Sequence, residues 1–378
     1  MRILHLCNKV PFPGRDGSSL AMEALIRIEA SLGHEVQVLA LNTDKHWVQH
    51  PSSPIAGASL EAIDLKTAPR WNTALANLFE RRSYYASRFW SAEAARRIEA
   101  LAVTCDLVVF DSLFMAVYLP HIGNKPSVLR AHNVEHSIWQ RGLAEEPILR
   151  SIYVSLQAKR LERWEQEVSA QVSRIWTISS EDQLWFARVH PGAAQCLPCS
   201  VDFLHGSWEQ SGASPAAAYH LGAMDWTPNT RGMRWFIDEV EPKLKHAELE
   251  VFSKHWPFEA SKSRVKHQTH DLDFQKFGVF VAPIRSGSGM RIKLLEAMAR
   301  GKAILTTSLG AEGLKAQHNV HLLMADSAED FAAALDLLCG NLELRNRIGN
   351  AAALHARQTF SDEAVALELS KELATFSR

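Results

Sequence analysis

Little in this chain suggests a partner recruited by charge or an anchor in a membrane. Among 378 residues, 41 lysines and arginines stand against 42 aspartates and glutamates, a formal net charge of -1. A chain so balanced has no overall field to draw it to nucleic acid or to an anionic surface, so neither is expected as a partner. No apolar run reaches the ~20 residues that cross a bilayer. The most apolar stretches, "LVVFDSLFMAVYLP" and "FGVFVAPI", are interrupted or too short. The opening "MRILHLCNKVPFPG" is broken by His5 and stopped by Lys9 and two prolines, and so reads as a buried first strand in place of a secretion signal. A cytoplasmic protein is expected.

Cysteine is scarce too. Cys7, Cys105, Cys196, Cys199 and Cys339 form an odd, scattered set that suits a reducing compartment and excludes a disulfide scaffold. Cys196 and Cys199 make one "CLPC", which has no second pair to complete a zinc site. There is no short-period repeat and no low-complexity tail. Neither first strand of the two halves leads into a G-x-G-x-x-G, no G-x-x-x-x-G-K-[ST] occurs, and no Asp-x-Asp closes an expected strand. No dinucleotide cofactor and no metal are therefore expected.

What is present is a 47% hydrophobic chain long enough for two cores. "RILHLC", a loop, the amphipathic "LAMEALIRIEASLG" and "HEVQVLALN" open a βαβ unit, and further strands are expected at 105–111, 126–133 and 173–179. A long helix is expected over "LRSIYVSLQAKRLERWEQEVSAQ". Periodicity lapses near "CLPCSVDFLHGSWEQSGASPAAA", after which "AYHLGAMDW" begins a second α/β unit containing "LEVFSK", "FGVFVAPI", "AILTTS" and "HLLMADS". Short apolar strands alternating with helices argue for parallel sheets covered on both faces, so the expected class is α/β with two doubly wound domains. The boundaries are set at 1–200 and 201–360, with the last helix, 361–378, packing back on the first domain.

The most informative stretch is "PIRSGSGMRIKLLEAMARG", residues 283–301. It leaves a strand at its carboxyl end, where parallel α/β sheets bind ligands. Gly287 and Gly289 allow close backbone approach, and a helix starting near Met290 offers unpaired N–H groups, so together they form an anion cradle. On that helix Lys293, Glu296 and Arg300 share one face while Ile292, Leu295 and Ala299 share the other. A lysine near the cradle neutralises phosphate, and a carboxylate three residues on accepts from vicinal hydroxyls of a ribose, which suits a nucleoside diphosphate. The competing reading is a surface helix whose Lys293 and Glu296 merely pair with each other.

The segment "PIRSGSGMRIKLLEAMARGKAILTTSLGAEGL" resembles the donor-site signature of family 4 glycosyltransferases of the GT-B fold, in the subset with "GSGxRxKxxEAMA". "GRDGSS", "RAHNVEH", "RLERWEQEVSAQVSRIWTISSED", "LPCSVDF" and "FSDEAVALELSKEL" extend the likeness over nearly the whole chain. The resemblance implies two Rossmann-like domains facing across a cleft, and a retaining, metal-independent transferase without a cofactor. The donor, a nucleotide diphosphate sugar, would bind mostly on the C-terminal domain, and a glycan or lipid-linked acceptor on the N-terminal one. It implies roles for Arg291 and Lys293 at the diphosphate, Glu296 at the ribose, and the backbone of Gly287, Ser288, Gly289 and Met290 at the distal phosphate. Arg231 would be a second phosphate contact, Gly17 would approach the phosphates from the first domain, and His132 would be the active-site histidine. Surface polysaccharide assembly is the context such relatives suggest.

Three departures from the family pattern stand out. Ser288 occupies the place of the first glutamate of E-x7-E; Cys199, Ser200 and Val201 replace Asn-Gly-Val; and Lys254 to Phe277 is short and irregular. They keep two alternatives open, a sugar-nucleotide epimerase of the same fold and a catalytically silent nucleotide-sugar-binding protein. The segment 80–97, "ERRSYYASRFWSAEAARR", interleaves Arg81, Arg82 and Arg88 with aromatics and reads either as a packed helix or as a peripheral contact with the inner face of the plasma membrane.

Overall fold

Short apolar runs, each too brief for a stable helix, become the strands of two parallel sheets. The computed structural model describes residues 1–376 apart from 70–72, 74–76, 78–81, 143–147, 202–213, 260–263 and 288. The chain divides into one unit of Met1–Ser200 with Asp362–Arg378 and a second of Val201–Ser361.

In the first unit the strands are β1 (Arg2–Cys7), β2 (Glu35–Thr43), β3 (Ala58–Leu65), β4 (Leu107–Asp111), β5 (Ser127–Ala131), β6 (Arg174–Thr177) and β7 (Ala194–Cys196). Their order is β3-β2-β1-β4-β5-β6-β7 and every pairing is parallel, with Cys7 opposite Asp111 at the carboxyl ends of β1 and β4. β4 and β5 are buried at every residue, as strands covered on both faces must be. The helix Gly17–Ser31 starts at Asp16, whose carboxylate accepts from Ser18 and Ser19 backbone N–H while the Ser19 hydroxyl reaches back. The final helix, Asp362–Ala374, lays Val365, Leu369 and Leu373 against Ile3, Leu25, Leu107 and Trp176, and Glu372 accepts a 3.1 Å bond from the Trp176 indole. Asp362 is also paired with Arg27 and accepts a hydrogen bond from the Ser200 hydroxyl.

The second unit carries β8 (Ala218–Leu221), β9 (Leu249–Phe252), β10 (Val265–Gln268), β11 (Val279–Ala282), β12 (Ala303–Thr306) and β13 (Leu323–Met324), ordered β10-β9-β8-β11-β12-β13 and again parallel. Its core joins Met233, Phe236, Val279, Val281, Leu305, Phe331 and Leu335.

In both sheets the chain order reverses beside the first strand, between β1 and β4 and between β8 and β11. Loops leaving those neighbours part in opposite directions and open a crevice at their carboxyl ends. The edge strands of the first sheet escape the sequence pattern: β3 buries only Ile63 fully, and β7 is only partly buried throughout, so neither shows an apolar run. β10 lies inside the irregular stretch 254–277 and buries only Val265.

Close packing fixes the crevice of the second unit. A side-chain carbon added at Gly232, in the helix Thr227–Trp235, would lie 1.9 Å from the carbonyl oxygen of Pro283, the first residue after β11. Gly232→Ala must push helix and loop apart, and we expect it to cost about 1–3 kcal/mol in urea unfolding. Unchanged stability would show that the contact is soft.

Candidate functional site

In the second unit the chain leaves β11 at Ala282 and reaches the helix Ile292–Ala299 through 283–291. Gly287 and Gly289 have φ of +106° and +77°, conformations that only glycine adopts without strain. Thr307 clamps the loop from below: its hydroxyl donates to the carbonyl of Ile284 at 2.5 Å and accepts from the N–H of Gly310 at 3.0 Å. The helix begins at Ile292, two residues later than Met290, because Gly289 has a positive φ and Arg291 is extended at φ -93°, ψ 95°. Arg291 folds back so that its guanidinium donates to the carbonyl of Gly289. Met290 is buried beneath the turn. Ser286, which sequence reasoning passed over, has a buried hydroxyl oxygen with no hydrogen-bond partner. Ser288 lies outside the described residues.

Ile292, Leu295 and Ala299 are buried, whereas Lys293 is exposed and Glu296 half-buried. Glu296 is joined to Arg300, at 3.0 Å, and forms no ion pair with Lys293 among the described residues. Surrounding protein lowers the Lys293 pKa below the lysine range, and the charge of Glu296 opposes that shift. Arg231, half-buried, stands on the helix Thr227–Trp235 that follows β8. Beneath them His220, on β8, donates from Nδ1 to the Val281 carbonyl at 2.8 Å. Burial holds its pKa down at about 4, so it is a neutral ring beside the cationic cradle.

The first unit places its polar groups at the equivalent edge. His132 follows β5 and is nearly buried, with Nε2 2.6 Å from Oδ1 of Asp111 at the end of β4. Arg130, two residues earlier on the same face, sets a guanidinium nitrogen 3.3 Å from Asp111 Oδ2 and donates to the Ala21 carbonyl at 2.8 Å. His5 of β1 lies 3.5 Å from the same carboxylate and 2.6 Å from Glu29 of the first helix. His5, Glu29, Asp111 and Arg130 are all at most 1% exposed. Burial works against the charge of Asp111, yet Arg130 and the two histidines hold its pKa well below the carboxylate range. Burial likewise opposes a charged His5, and Glu29 with Asp111 overrides it, so its pKa is raised well above the histidine range. For His132 burial wins and the pKa is lowered, against the pull of Asp111. His5, Cys7 and Asp111 also hold one ligand-type atom each within 4.8 Å of one another, but the Arg130 guanidinium already supplies the positive charge there.

Beside His132, Glu135 begins the helix Glu135–Gly142, and its carboxyl is pushed up to about 8 by burial and by the charge of Glu165. Glu165, from the long helix Ile148–Gln171, accepts the Glu135 N–H at 2.9 Å and holds His136 at 2.7 Å. Gly17 is the first residue of its helix, behind the Asp16 cap, and Lys9 neutralises that cap with two 2.9 Å bonds. A cavity of about 360 Å³ at the carboxyl ends of β1, β2 and β3 is lined by Lys9, Thr43, Lys45, His46, Arg88 and Phe89 among others. A separate hollow of about 390 Å³ beside Arg285 and Asp326 contains none of the cradle's helix residues.

Of the segment 80–97, Arg81 lies outside the described residues. Tyr85 stacks on Trp139 at 3.8 Å, Phe89 on Phe114 at 5.0 Å and Trp90 on Tyr118 at 5.4 Å. Tyr84 is buried, Arg88 binds the Thr67 carbonyl, and Tyr85 and Phe89 pack against the core, while Trp90 is exposed. Neither member of "CLPC" is in a disulfide, and burial pushes Cys199 up to about 11. No described helix is long and apolar enough to cross a membrane.

Comparison with known proteins agrees with this architecture. Residues 217–341 match the family described as "Glycosyl transferases group 1". The whole chain resembles an "Uncharacterized 44.6 kDa protein in cps region" of Klebsiella pneumoniae, 19% identical over 98% of this chain and 99% of that one. Among solved structures, Alr3699/HepE of Anabaena in complex with UDP superposes with a TM-score of 0.68 at 13% identity, covering 99% of this chain and 100% of that one. Sucrose-phosphate synthase of Thermosynechococcus elongatus superposes with a TM-score of 0.66 at 14% identity, covering 99% of each chain. The fold is that of the GT-B glycosyltransferases.

The raised pKa of His5 fixes a sign for stability. Its contribution is complete below the unfolded value near ~6.5 and is lost as pH rises through the folded value. The stability advantage of the wild type over His5→Asn should therefore shrink above pH ~6.5, by at most about 1.4 kcal/mol per pH unit. Urea melts across this range check it, and an advantage that grew with pH would contradict the assignment.

Proposed function

We propose that this protein is a retaining glycosyltransferase that moves a sugar from a nucleoside diphosphate sugar to a glycan or lipid-linked acceptor, in the cytoplasm, in surface polysaccharide assembly. The observation that carries this reading is the cradle after β11: two glycines at positive φ, followed by a helix that presents Lys293 and Glu296 on its open face. The match of residues 217–341 to group 1 glycosyl transferases supports it, as do the complexes of the similarly folded HepE with UDP and with UDP-glucose.

A diphosphate in the cradle would receive backbone N–H groups of the glycine loop and the charges of Lys293, Arg291 and Arg231. Glu296, steadied by Arg300, would accept from the ribose hydroxyls. As the bond between sugar and phosphate breaks, negative charge gathers on the departing diphosphate, and fixed positive groups already aimed at it lower the barrier. With that much cationic side chain at the loop, the transfer needs no metal ion. His132 would act at the sugar.

The reading is tested first by thermal shift with UDP, GDP, ADP and dTDP, with and without magnesium. A diphosphate at about 100 times its dissociation constant should stabilise by about 2.7 kcal/mol. Lys293→Ala should abolish most of that shift with little change in the melting point of the free protein, since the side chain is exposed. No diphosphate binding by the wild type would overturn the reading.

Turnover of the matching nucleotide sugar forms the second test. We expect His132→Ala to lower kcat by at least about tenfold with nucleotide affinity nearly unchanged, and the anomeric configuration of the product, read by NMR, to match the donor's. An inverted product would remove the retaining mechanism. Conversion of the donor to its epimer without an acceptor would assign the protein to epimerases of this fold.

A further inference from the structure

The buried polar cluster of the first unit goes further, on the reading that His132 takes part in sugar transfer. We propose that Asp111 and His5 are positioning residues for His132, Asp111 by fixing which ring nitrogen carries the proton and His5 by supplying the charge that lets the ring work in its neutral form.

The first half follows from donors and acceptors. Asp111 is completely buried, and Arg130 and His5 flank its other oxygen, so it is an ionised carboxylate that only accepts hydrogen bonds. Its Oδ1 stands 2.6 Å from Nε2 of His132, which assigns the proton to Nε2. In a neutral ring Nδ1 is then the acceptor. An acceptor nitrogen suits a hydroxyl of the sugar or of the acceptor. It does not suit the diphosphate, which at neutral pH offers only acceptors of its own.

The second half follows from counting charges. Glu29 and Asp111 bring two negative charges into a region shielded from water, and Arg130 and a protonated His5 bring two positive ones. Among the described residues, the charged groups that act on His132 are Asp111 from β4, Arg130 from β5 and Lys9 from the loop after β1. Behind Asp111 stand His5 and Cys7 of β1, Glu29 of the first helix, and Cys199, whose sulfur is 4.0 Å from Arg130. With the four buried charges cancelling, no net field draws a proton onto His132. Had β1 carried an apolar residue in place of His5, the cluster would hold one uncompensated negative charge, and His132 would be the group to take up a proton.

The experiment is histidine-ring NMR on the full chain with 15N-labelled histidine, the His132 signals being assigned by their loss in His132→Ala. At neutral pH the wild type should show His132 as the Nε2–H tautomer. The variants should then move its titration midpoint in opposite directions. Asp111→Asn removes the negative charge that touches the ring and should lower the midpoint, whereas His5→Gln leaves the cluster one charge negative and should raise it, each by on the order of one pH unit. Lys9→Met, at the edge of the site, should also raise it and disturbs the core least. A general loosening of the core moves all three variants the same way, so the split in sign identifies the role.

An Nδ1–H tautomer in the wild type, or midpoints that move together or stay still, would overturn the proposal. These signals need neither donor nor acceptor. UDP affinity and turnover measured on the same samples report separately on the transferase reading: Asp111→Asn should lower kcat with UDP affinity unchanged. A wild type that binds no nucleotide would end the transferase reading while the NMR still decides this one.

Discussion

A parallel sheet covered on both faces can present a charge to a ligand only at the ends of its strands, and both units of this protein are organised by that constraint. Strands such as β4 and β11 are buried at every residue, so their side chains pack and cannot meet a ligand. Polar chemistry collects where the chain leaves the sheet. In the second unit that exit is a glycine loop under a cationic helix, and in the first it is Asp111 with His132 one strand away. The reversal of strand order beside β1 and β8 keeps those exits open, because the neighbouring connections depart to opposite sides.

The two edges solve opposite electrostatic problems. The loop of the second unit has two glycines at positive φ and leads into a helix with Lys293 exposed. Its own geometry is held from outside the site, by the Thr307 hydroxyl below the loop and by the close contact of Gly232 with Pro283. The cluster of the first unit balances its charges within itself. Glu29, His5, Asp111 and Arg130 neutralise one another out of contact with water, and removing any one would strand a buried charge, which costs far more than the pair contributes. Such a set earns its place by fixing the state of its neighbour His132.

Much of this was legible in the chain. Apolar runs such as "RILHLC", "LVVFD" and "VFVA" announced the inner strands, since burial on both faces leaves an unbroken apolar signature. Among the edge strands, β13 was legible in "HLLMADS", whereas β3 and β7 were not. β3 and β10 owe their existence to a neighbour's unpaired ladder and carry mixed sequences. The helix after the cradle was placed two residues early, because the sequence shows the glycines but not that Gly289 takes a positive φ or that Arg291 is extended. The competing reading, in which Lys293 and Glu296 pair with each other, is not what the described residues show: at i,i+4, Arg300 reaches the carboxylate. Asp111 and His5 passed unnoticed, one as the polar end of a strand and the other as an interruption in an apolar run.

The sequence by itself therefore determined the local matters: the class of fold, the inner strands, the glycine loop, and the helix with its packing face and its open face. These depend on periodicity and on residues close together in the chain. The tertiary structure alone decided which distant groups share a charge. Glu29 and His5 lie far from Asp111 along the chain, with β2 and β3 between them and it, and they meet it only because β1 pairs with β4 while the first helix folds across both. A charge interacts with whatever lies within a few ångströms, whatever its distance along the chain, and only folding sets that neighbourhood.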